Sequence, residues 1–235
     1  MLYRAVLLAV VTAWTPAAAA QSTDLPDAPP DLKINQIQVL GTHNSYSLSV
    51  DPQLLALVGE AMEGGMAGML DQMDEARRAE FLEYHPNFGR VTFAEGLAYS
   101  YPEGLAAQLD AGLRSLEIDV FRDPDGERFL EPAGYAALVE QGIDPSTLLP
   151  HDTTDLEAPG FKVMHVADLD FRSSCNLLRD CLGELRDWSE ANTEHAPIFI
   201  LLEAKDAGIP VFPNATDVLP FDGEAFDDLD AEIIE

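Results

Sequence analysis

The sequence is poor in cysteine, in positive charge and in long apolar segments. It contains two cysteines, and 13 Lys and Arg against 42 Asp and Glu give a net charge of −29. A surface this acidic repels nucleic acids and anionic membranes, so we expect no nucleic-acid partner and at most transient membrane contact. No apolar run reaches the ~18 residues that a transmembrane helix needs, which predicts a soluble protein.

The chain begins in the manner of an exported protein. Arg4 precedes an apolar run of about ten residues, and small residues follow as far as Ala20, which predicts a cleavable signal peptide over residues 1–20. The Pro- and Asp-rich residues 21–33 predict a linker. We therefore expect a secreted or periplasmic monomer in which residues 34–235 form one domain, because a chain of about 200 residues suits a single core.

The two cysteines, Cys175 and Cys181, are six residues apart. In an oxidising compartment we expect them to form a short-loop disulfide. Six residues within one helix would separate the Cα atoms by about 9 Å, beyond the reach of a disulfide, so Cys175 must lie in the turn before the helix if the bond forms. Zinc is not expected, because no histidine lies near them at finger-like spacing.

Four short apolar segments predict strands, and each ends in polar or acidic residues. They are INQIQVLGTHN, LRSLEIDVF, FKVMHVADLD and PIFILLEAKD. Helices are predicted at residues 176–192, in PEGLAAQLDAG with Gly112 as its C-terminal stop, and in FDGEAFDDLDAEIIE with Phe226, Leu229 and Ile233 on one side. Strands that alternate with helices predict an α/β fold with a parallel sheet.

A long segment separates the first two predicted strands. Its length, about 70 residues, is far more than one crossover needs, and it predicts a helical insertion at about 51–100. Met62, Met66, Met69 and Met73 lie there at helical or near-helical spacing. Two interpretations stay open: a helical cover packed on the body, or a flexible methionine surface that binds a lipid or another apolar ligand.

Side chains capable of chemistry follow each of the four predicted strands. In chain order they are His43 and Asn44, Glu117 and Asp119, His165, and Glu203 with Lys205. Because the C-terminal ends of parallel strands meet at one edge of a sheet, we expect a shared site there. Glu117 and Asp119 point to the same face of their strand, and they repel each other unless a cation or a proton lies between them.

This set of side chains suits phosphodiester cleavage. Oxygen ligands from one amide and three carboxylates favour calcium, or less well magnesium, over zinc. Such a cation neutralises charge on a phosphoryl group and can acidify an attacking hydroxyl. Two imidazoles, which ordinarily titrate near neutral pH, can transfer protons or stabilise phosphoryl charge.

The order of these motifs resembles that of a known family. GTHNSY, LEIDV, the histidine after the third strand and ILLEAKD are similar, in that order, to the phosphatidylinositol-specific phospholipase C-like phosphodiesterases, and most to their calcium-dependent secreted bacterial branch. The resemblance covers residues 34–235. It implies a TIM-type (β/α)8 barrel, of which this chain holds the N-terminal half, about four βα units.

The resemblance also implies a role for each residue. It makes His43 and His165 the catalytic histidines, Asn44, Glu117, Asp119 and Glu203 the calcium ligands, and Lys205 either a phosphate contact or a salt-bridge partner of Glu203. His43, or a carboxylate near the metal, would take the proton of the inositol 2-hydroxyl, and His165 would act on the other side of the reaction. Diacylglycerol and a cyclic or open inositol phosphate would result.

Two other functions remain open. A glycerophosphodiester phosphodiesterase shares the barrel and an acidic metal site, but that family typically has HRG after the first strand, where this chain has HNS. A non-catalytic calcium-binding exported protein would not need the two histidines. The acidic surface favours dispersed or extracellular substrates over an anionic phosphatidylinositol bilayer.

Overall fold

The computed structural model describes residues 31–235, so the predicted signal peptide and residues 21–30 of the predicted linker lie outside the described residues. Over residues 31–235 the chain has an α/β structure, in which one four-stranded sheet is combined with seven α-helices. None of the helices in this range is long and apolar enough to cross a membrane.

Only two of the strands are longer than two residues. The strands are β1 (Gly41–Thr42), β2 (Ser115–Phe121), β3 (Lys162–Val163) and β4 (Phe199–Ala204). The helices are α1 (Pro52–Asp71), α2 (Glu75–Tyr84), α3 (Phe93–Gly96), α4 (Gly104–Asp110), α5 (Ala133–Glu140), α6 (Leu178–Ala191) and α7 (Gly223–Ile234). Single 3-10 turns occupy Ile34–Gln36 and Pro145–Thr147.

Strand β2 lies at the centre of the sheet, and the residues of its sequence SLEIDVF alternate between the two faces of the sheet. Leu116, Ile118 and Val120 are buried in a hydrophobic core. Glu117 and Asp119 point to the opposite face, because side chains alternate along a strand. Strand β4 pairs with β2 in parallel along most of its length, and β1 pairs in parallel with its first two residues. The predicted second and fourth strands are thus confirmed.

The prediction that the third strand is parallel is wrong. Strand β3 runs antiparallel to β2, with Val163 opposite Val120. Because Val120 also pairs with Ala204 of β4, β3 and β4 lie on opposite edges of β2. The Nζ atom of the buried Lys162 lies 3.4 Å from Asp123 Oδ2, just beyond the end of β2.

The first strand is shorter than the apolar segment INQIQVLGTHN predicted. Ile34–Gln36 form a 3-10 turn, and only Gly41–Thr42 pair with β2. Leu40 is 76% exposed, so the apolar residues before Gly41 are not all buried against a sheet. Gly41 allows the closest approach to β2, because a Cβ atom there would lie 2.3 Å from the carbonyl oxygen of Ser115.

The first hydrophobic core joins β2 to helices α4, α6 and α7. Helix α6 confirms the predicted helix over residues 176–192. Its buried Leu185 and Trp188 belong to this core, and Trp188 Nε1 donates to Asp110 Oδ1 at 2.7 Å, which joins α6 to α4. Gly112 follows α4 with φ of 91°, as expected for a helix stop. Burying one leucine fully contributes about 1.5–3 kcal/mol.

Cys175 and Cys181 form a disulfide, and their Cα atoms are 5.5 Å apart. Cys175 lies in the turn before α6, and Cys181 lies in its first turn. The predicted pairing and the predicted position of Cys175 are both confirmed, because the chain must leave the helix to bring the Cα atoms within reach.

A second core packs α1 and α5 against the segment around β3. Helices α1 to α3 lie in the segment predicted as an insertion. Met62 packs against this core, Met66 is half-buried, and Met69 is 39% exposed. The methionines are therefore divided between packing and open surface.

The buried face of α7 differs from the prediction. Leu229 is buried, but Phe226 and Ile233 are 50% and 45% exposed. The helix is turned so that Glu232 accepts from the backbone N–H groups of Phe161 and Arg179, each at 3.2 Å. Apolar periodicity could not reveal this polar anchor.

Candidate active site

The turn after β1 holds the first two predicted site residues. Asn44 adopts the left-handed conformation, with φ of 47°, which asparagine tolerates better than most residues. The next residue, Ser45, is tied to β2 twice: its N–H donates to the Glu117 carbonyl oxygen at 3.0 Å, and its Oγ accepts from the Glu117 N–H at 2.9 Å. The turn is therefore fixed beside the strand that carries the predicted acidic ligands.

Helix α4 supports this turn through Gln108. The Gln108 side chain is buried, and its Nε2 atom donates to the carbonyl oxygen of Ser45 at 2.6 Å. Its Oε1 atom accepts from Thr42 Oγ1 at 2.6 Å. The sequence analysis missed Gln108, although a polar residue within the apolar face of GLAAQL is a signal that could have found it.

Three carboxylates come together where β2 and β4 lie side by side. Asp119 is directly opposite Glu203 in the parallel register, and Glu117 is two residues earlier on the same face. One oxygen of each of these side chains lies within 4.8 Å of the others. Burial raises the pKa of Asp119 above its ordinary value. Lys205 opposes that rise, because its Nζ atom lies 2.9 Å from Asp119 Oδ2 and 2.9 Å from Glu203 Oε1.

Asn44 Oδ1 is buried and makes no hydrogen bond within the described residues. The buried Asp119 Oδ1 also lacks a hydrogen bond of ordinary geometry among these residues, although the Tyr46 hydroxyl is close enough to lower the pKa of Asp119. A buried acceptor without a partner costs about 1–3 kcal/mol. Calcium prefers oxygen ligands of this kind, so the residues present fit a hard cation. Glu203, with a side chain that is 53% exposed, leaves the cluster open to solvent.

His165 is held by two neighbours on its Nδ1 side. Asp170 Oδ2 lies 2.9 Å from Nδ1, and the Tyr99 hydroxyl lies 3.0 Å from it. A carboxylate can only accept, so this arrangement favours the proton on Nδ1. Nε2 is then the atom of His165 that is available for chemistry.

His43 lies close to both the acidic cluster and the second histidine. Its Nε2 atom is 3.6 Å from Glu117 Oε2, and its side chain is 68% exposed. The ring centroids of His43 and His165 are 6.4 Å apart. Both imidazoles can therefore contact a single phosphoryl group.

The structure brings all seven predicted site residues to the same edge of the sheet. A cavity of about 260 Å³ is lined there by His165, Glu203 and Lys205. A larger cavity, of about 760 Å³, lies beside Tyr135 and His151 and contains none of the site residues. The smaller cavity therefore has ionisable side chains in its lining, whereas His43, Asn44, Glu117 and Asp119 do not line it.

Sequence reasoning missed Tyr99 and Asp170. Asp170 follows His165 by five residues in HVADLD, and an acid so close to a candidate catalytic histidine was an available signal. Tyr99 lies at the end of the predicted insertion, and the sequence contains nothing that singles it out. It contacts Asn44, His165 and Asp170 only because the fold brings those segments together.

Comparison with known proteins gives one family. The family model described as "Phosphoinositide phospholipase C, Ca2+-dependent" matches residues 32–235. No curated protein and no solved structure matches the chain.

Proposed function

The chain belongs to the Ca²⁺-dependent phosphoinositide phospholipase C family, and from that premise we propose that it is an exported phosphodiesterase that cleaves phosphatidylinositol-type substrates. The family match confirms the resemblance of the four motifs. The observation that carries the proposal is the juxtaposition of two imidazoles with an acidic cluster that contains unpartnered oxygens. A phosphodiesterase needs both groups at one place.

In this proposal calcium is held by an amide and three carboxylates, from Asn44, Glu117, Asp119 and Glu203. When bound, the cation neutralises charge on the phosphoryl group and makes the attacking hydroxyl more acidic. Asn44 and Asp119 would each contribute a buried oxygen that makes no hydrogen bond of ordinary geometry within the described residues. Calcium binds oxygen ligands and does not need imidazole. The two histidines are therefore available to transfer protons.

The two histidines take opposite sides of the reaction. His43 lies beside Glu117 and is open to solvent, so it takes the proton from the inositol 2-hydroxyl as that oxygen attacks phosphorus. His165 gives a proton from Nε2 to the departing diacylglycerol oxygen, while Asp170 stabilises the charged ring through Nδ1. The products of this step are diacylglycerol and an inositol cyclic phosphate, and attack of water on the cyclic phosphate would give the open inositol phosphate.

Lys205 contacts the phosphate in this proposal and is paired with Asp119 and Glu203 before substrate binds. Lys205 and His165 both line the 260 Å³ cavity. Three carboxylates outweigh the single ammonium of Lys205 at this cluster, so attraction of an anionic phosphate to the site would depend on bound Ca²⁺.

We further infer that the sheet is part of a TIM-type (β/α)8 barrel. Strands β1 and β4 pair with β2 in parallel, as strands of such a barrel do, whereas the two-residue β3 is antiparallel and departs from that pattern. The described residues supply no strand for the outer edge of β4. Ile200 and Leu201 of β4 are 39% and 60% exposed.

Export is supported by the signal-like residues 1–20 and by the disulfide.

The proposal is tested by the products of cleavage. With phosphatidylinositol in neutral detergent micelles and Ca²⁺, we expect ³¹P NMR to show a cyclic or open inositol phosphate. His43→Ala and His165→Ala each lower kcat by about 10²- to 10⁴-fold, because general acid–base catalysis contributes that much.

His195→Ala is the matched control. This ring packs on Trp188, with centroids 5.3 Å apart, and takes no part in the site, so the variant keeps its activity. Cleavage of glycerophosphoinositol in preference to phosphatidylinositol would favour a glycerophosphodiester phosphodiesterase. Unchanged kcat in both histidine variants would refute the proposed roles.

A further inference from the structure

The hydroxyl of Tyr99 connects the two halves of the site. It lies 2.7 Å from Asn44 Nδ2, 3.0 Å from His165 Nδ1 and 2.9 Å from Asp170 Oδ2. Tyr99 comes from the segment that follows α3, whereas the other three residues follow β1 and β3. One side chain from outside the sheet thus contacts both an oxygen-ligand residue and a catalytic candidate.

The hydrogen bonds of the Tyr99 hydroxyl determine the orientation of the Asn44 side-chain amide. A tyrosine hydroxyl has one proton, and Asp170 Oδ2 can only accept, so the proton is donated to Asp170. Tyr99 can then only accept from Asn44, which must present its NH₂ group to Tyr99. The Asn44 Oδ1 atom is consequently turned away from Tyr99, and it is buried with no donor among the residues that the structure describes.

We propose that Tyr99 is a positioning residue that fixes the Asn44 amide with its oxygen available to calcium. The inference rests on the proposed function, because it assigns the free Oδ1 atom to that cation. Without the hydroxyl, the amide is free to rotate and presents NH₂ to the cation for part of the time. The Tyr99 hydroxyl also donates to Asp170, and Asp170 in turn contacts His165 Nδ1. Tyr99 therefore connects the orientation of Asn44 with that of His165.

The test is calcium affinity measured by isothermal titration calorimetry on the full chain, with no substrate present. Tyr99→Phe removes only the hydroxyl, and we expect its Kd for Ca²⁺ to rise about 10- to 100-fold, as is typical when a residue that orients a metal ligand is changed. Tyr101→Phe is the matched control. It removes a hydroxyl two residues away that takes no part in these hydrogen bonds, so its Kd stays at the wild-type value.

A second pair of variants separates orientation from general structural damage. In an Asn44→Asp background both ends of the side chain are oxygen, so its orientation no longer matters. We therefore expect Tyr99→Phe to change the Kd of Asn44→Asp by less than about 3-fold, well short of the 10- to 100-fold loss expected in the wild-type background. A structural role would weaken calcium binding equally in both backgrounds.

Each result has a distinct meaning. If the wild-type chain binds no Ca²⁺, the proposed function fails, and this inference fails with it. If the wild-type chain binds Ca²⁺ and Tyr99→Phe binds it equally well, only the positioning role of Tyr99 is overturned. Equal losses in the two backgrounds overturn it as well.

Discussion

At the residue scale, Asp170 is the side chain that decides which nitrogen of His165 is free. Its Oδ2 atom is 2.9 Å from Nδ1, and the residue is buried. An amide at this position removes the charge that stabilises the imidazolium. We expect Asp170→Asn to lower kcat by about 10²-fold or more with little change in KM. Steady-state kinetics measure this, and a kcat equal to that of the wild type would show that Asp170 does not assist His165.

His151 gives a pH dependence that is separate from the site. Its ring packs against Phe171, with centroids 4.8 Å apart, and burial lowers the pKa of His151 below its ordinary value of 6.5. As pH falls below that value, the unfolded chain binds a proton that the folded chain resists. The contribution of His151 to stability is therefore present above pH 6.5 and is lost as pH falls toward the lowered pKa.

Urea unfolding between pH 7.5 and pH 5 checks this sign. We expect the free energy of unfolding of the wild type to fall more steeply with acid than that of His151→Gln. Parallel pH curves for the two proteins would exclude His151 as a source of acid lability.

The sequence allowed the site residues to be predicted where strand ends determine their position. His43, Glu117 and Glu203 were found because polar groups at the ends of parallel strands meet at one sheet edge. His165 reaches the same place after an antiparallel strand, so that rule does not explain its position. The partners that orient them were not found, because their contacts join distant parts of the chain. Tyr99 is 55 residues from Asn44 in sequence, and no local pattern records that contact.

At the element scale, the contact between β1 and β2 positions the GTHN turn. The backbone of Gly41 lies so close to Ser115 that a Cβ atom would be 2.3 Å from the Ser115 carbonyl oxygen. We expect Gly41→Ala to lower the free energy of unfolding by about 1–3 kcal/mol, as overpacking does, and to lower kcat by displacing His43 and Asn44.

Gly59→Ala is the control for this substitution. Gly59 lies within α1, and a Cβ atom there would meet nothing within 4 Å. Alanine is a better helix former than glycine, so we expect the free energy of unfolding of this variant to rise by about 0.5–1 kcal/mol and its activity to stay unchanged. Chemical denaturation and initial rates check both variants, and a neutral Gly41→Ala would mean that β1 can shift without affecting the site.

Element type was predictable from apolar content and spacing, but strand direction was not. The short apolar runs of β2 and β4 and the three-four spacing of α6 indicated these elements, and the structure contains each of them. The apolar pattern of FKVMHVADLD is compatible with either direction, since periodicity reports faces only. The structure pairs this segment antiparallel to β2, and Lys162 of β3 forms an ion pair with Asp123 just beyond the end of β2.

At the scale of the whole molecule, the alternation of predicted strands and helices indicated an α/β fold, and the composition indicated an acidic surface. The family match extends over residues 32–235, which include both hydrophobic cores and all the proposed site residues. The order of the strands could not be deduced from composition, because it depends on pairing between distant segments of the chain. The exposed Ile200 and Leu201 mark the outer edge of β4.

The central claim is that one calcium-dependent site at the sheet edge cleaves a phosphodiester. The most direct measurement is the rate of inositol phosphate release from phosphatidylinositol in neutral micelles, first with Ca²⁺, then with excess chelator, and then with Ca²⁺ restored. We predict release with Ca²⁺, loss of release in chelator and recovery when Ca²⁺ is returned. Release at an undiminished rate in excess chelator would contradict the claim.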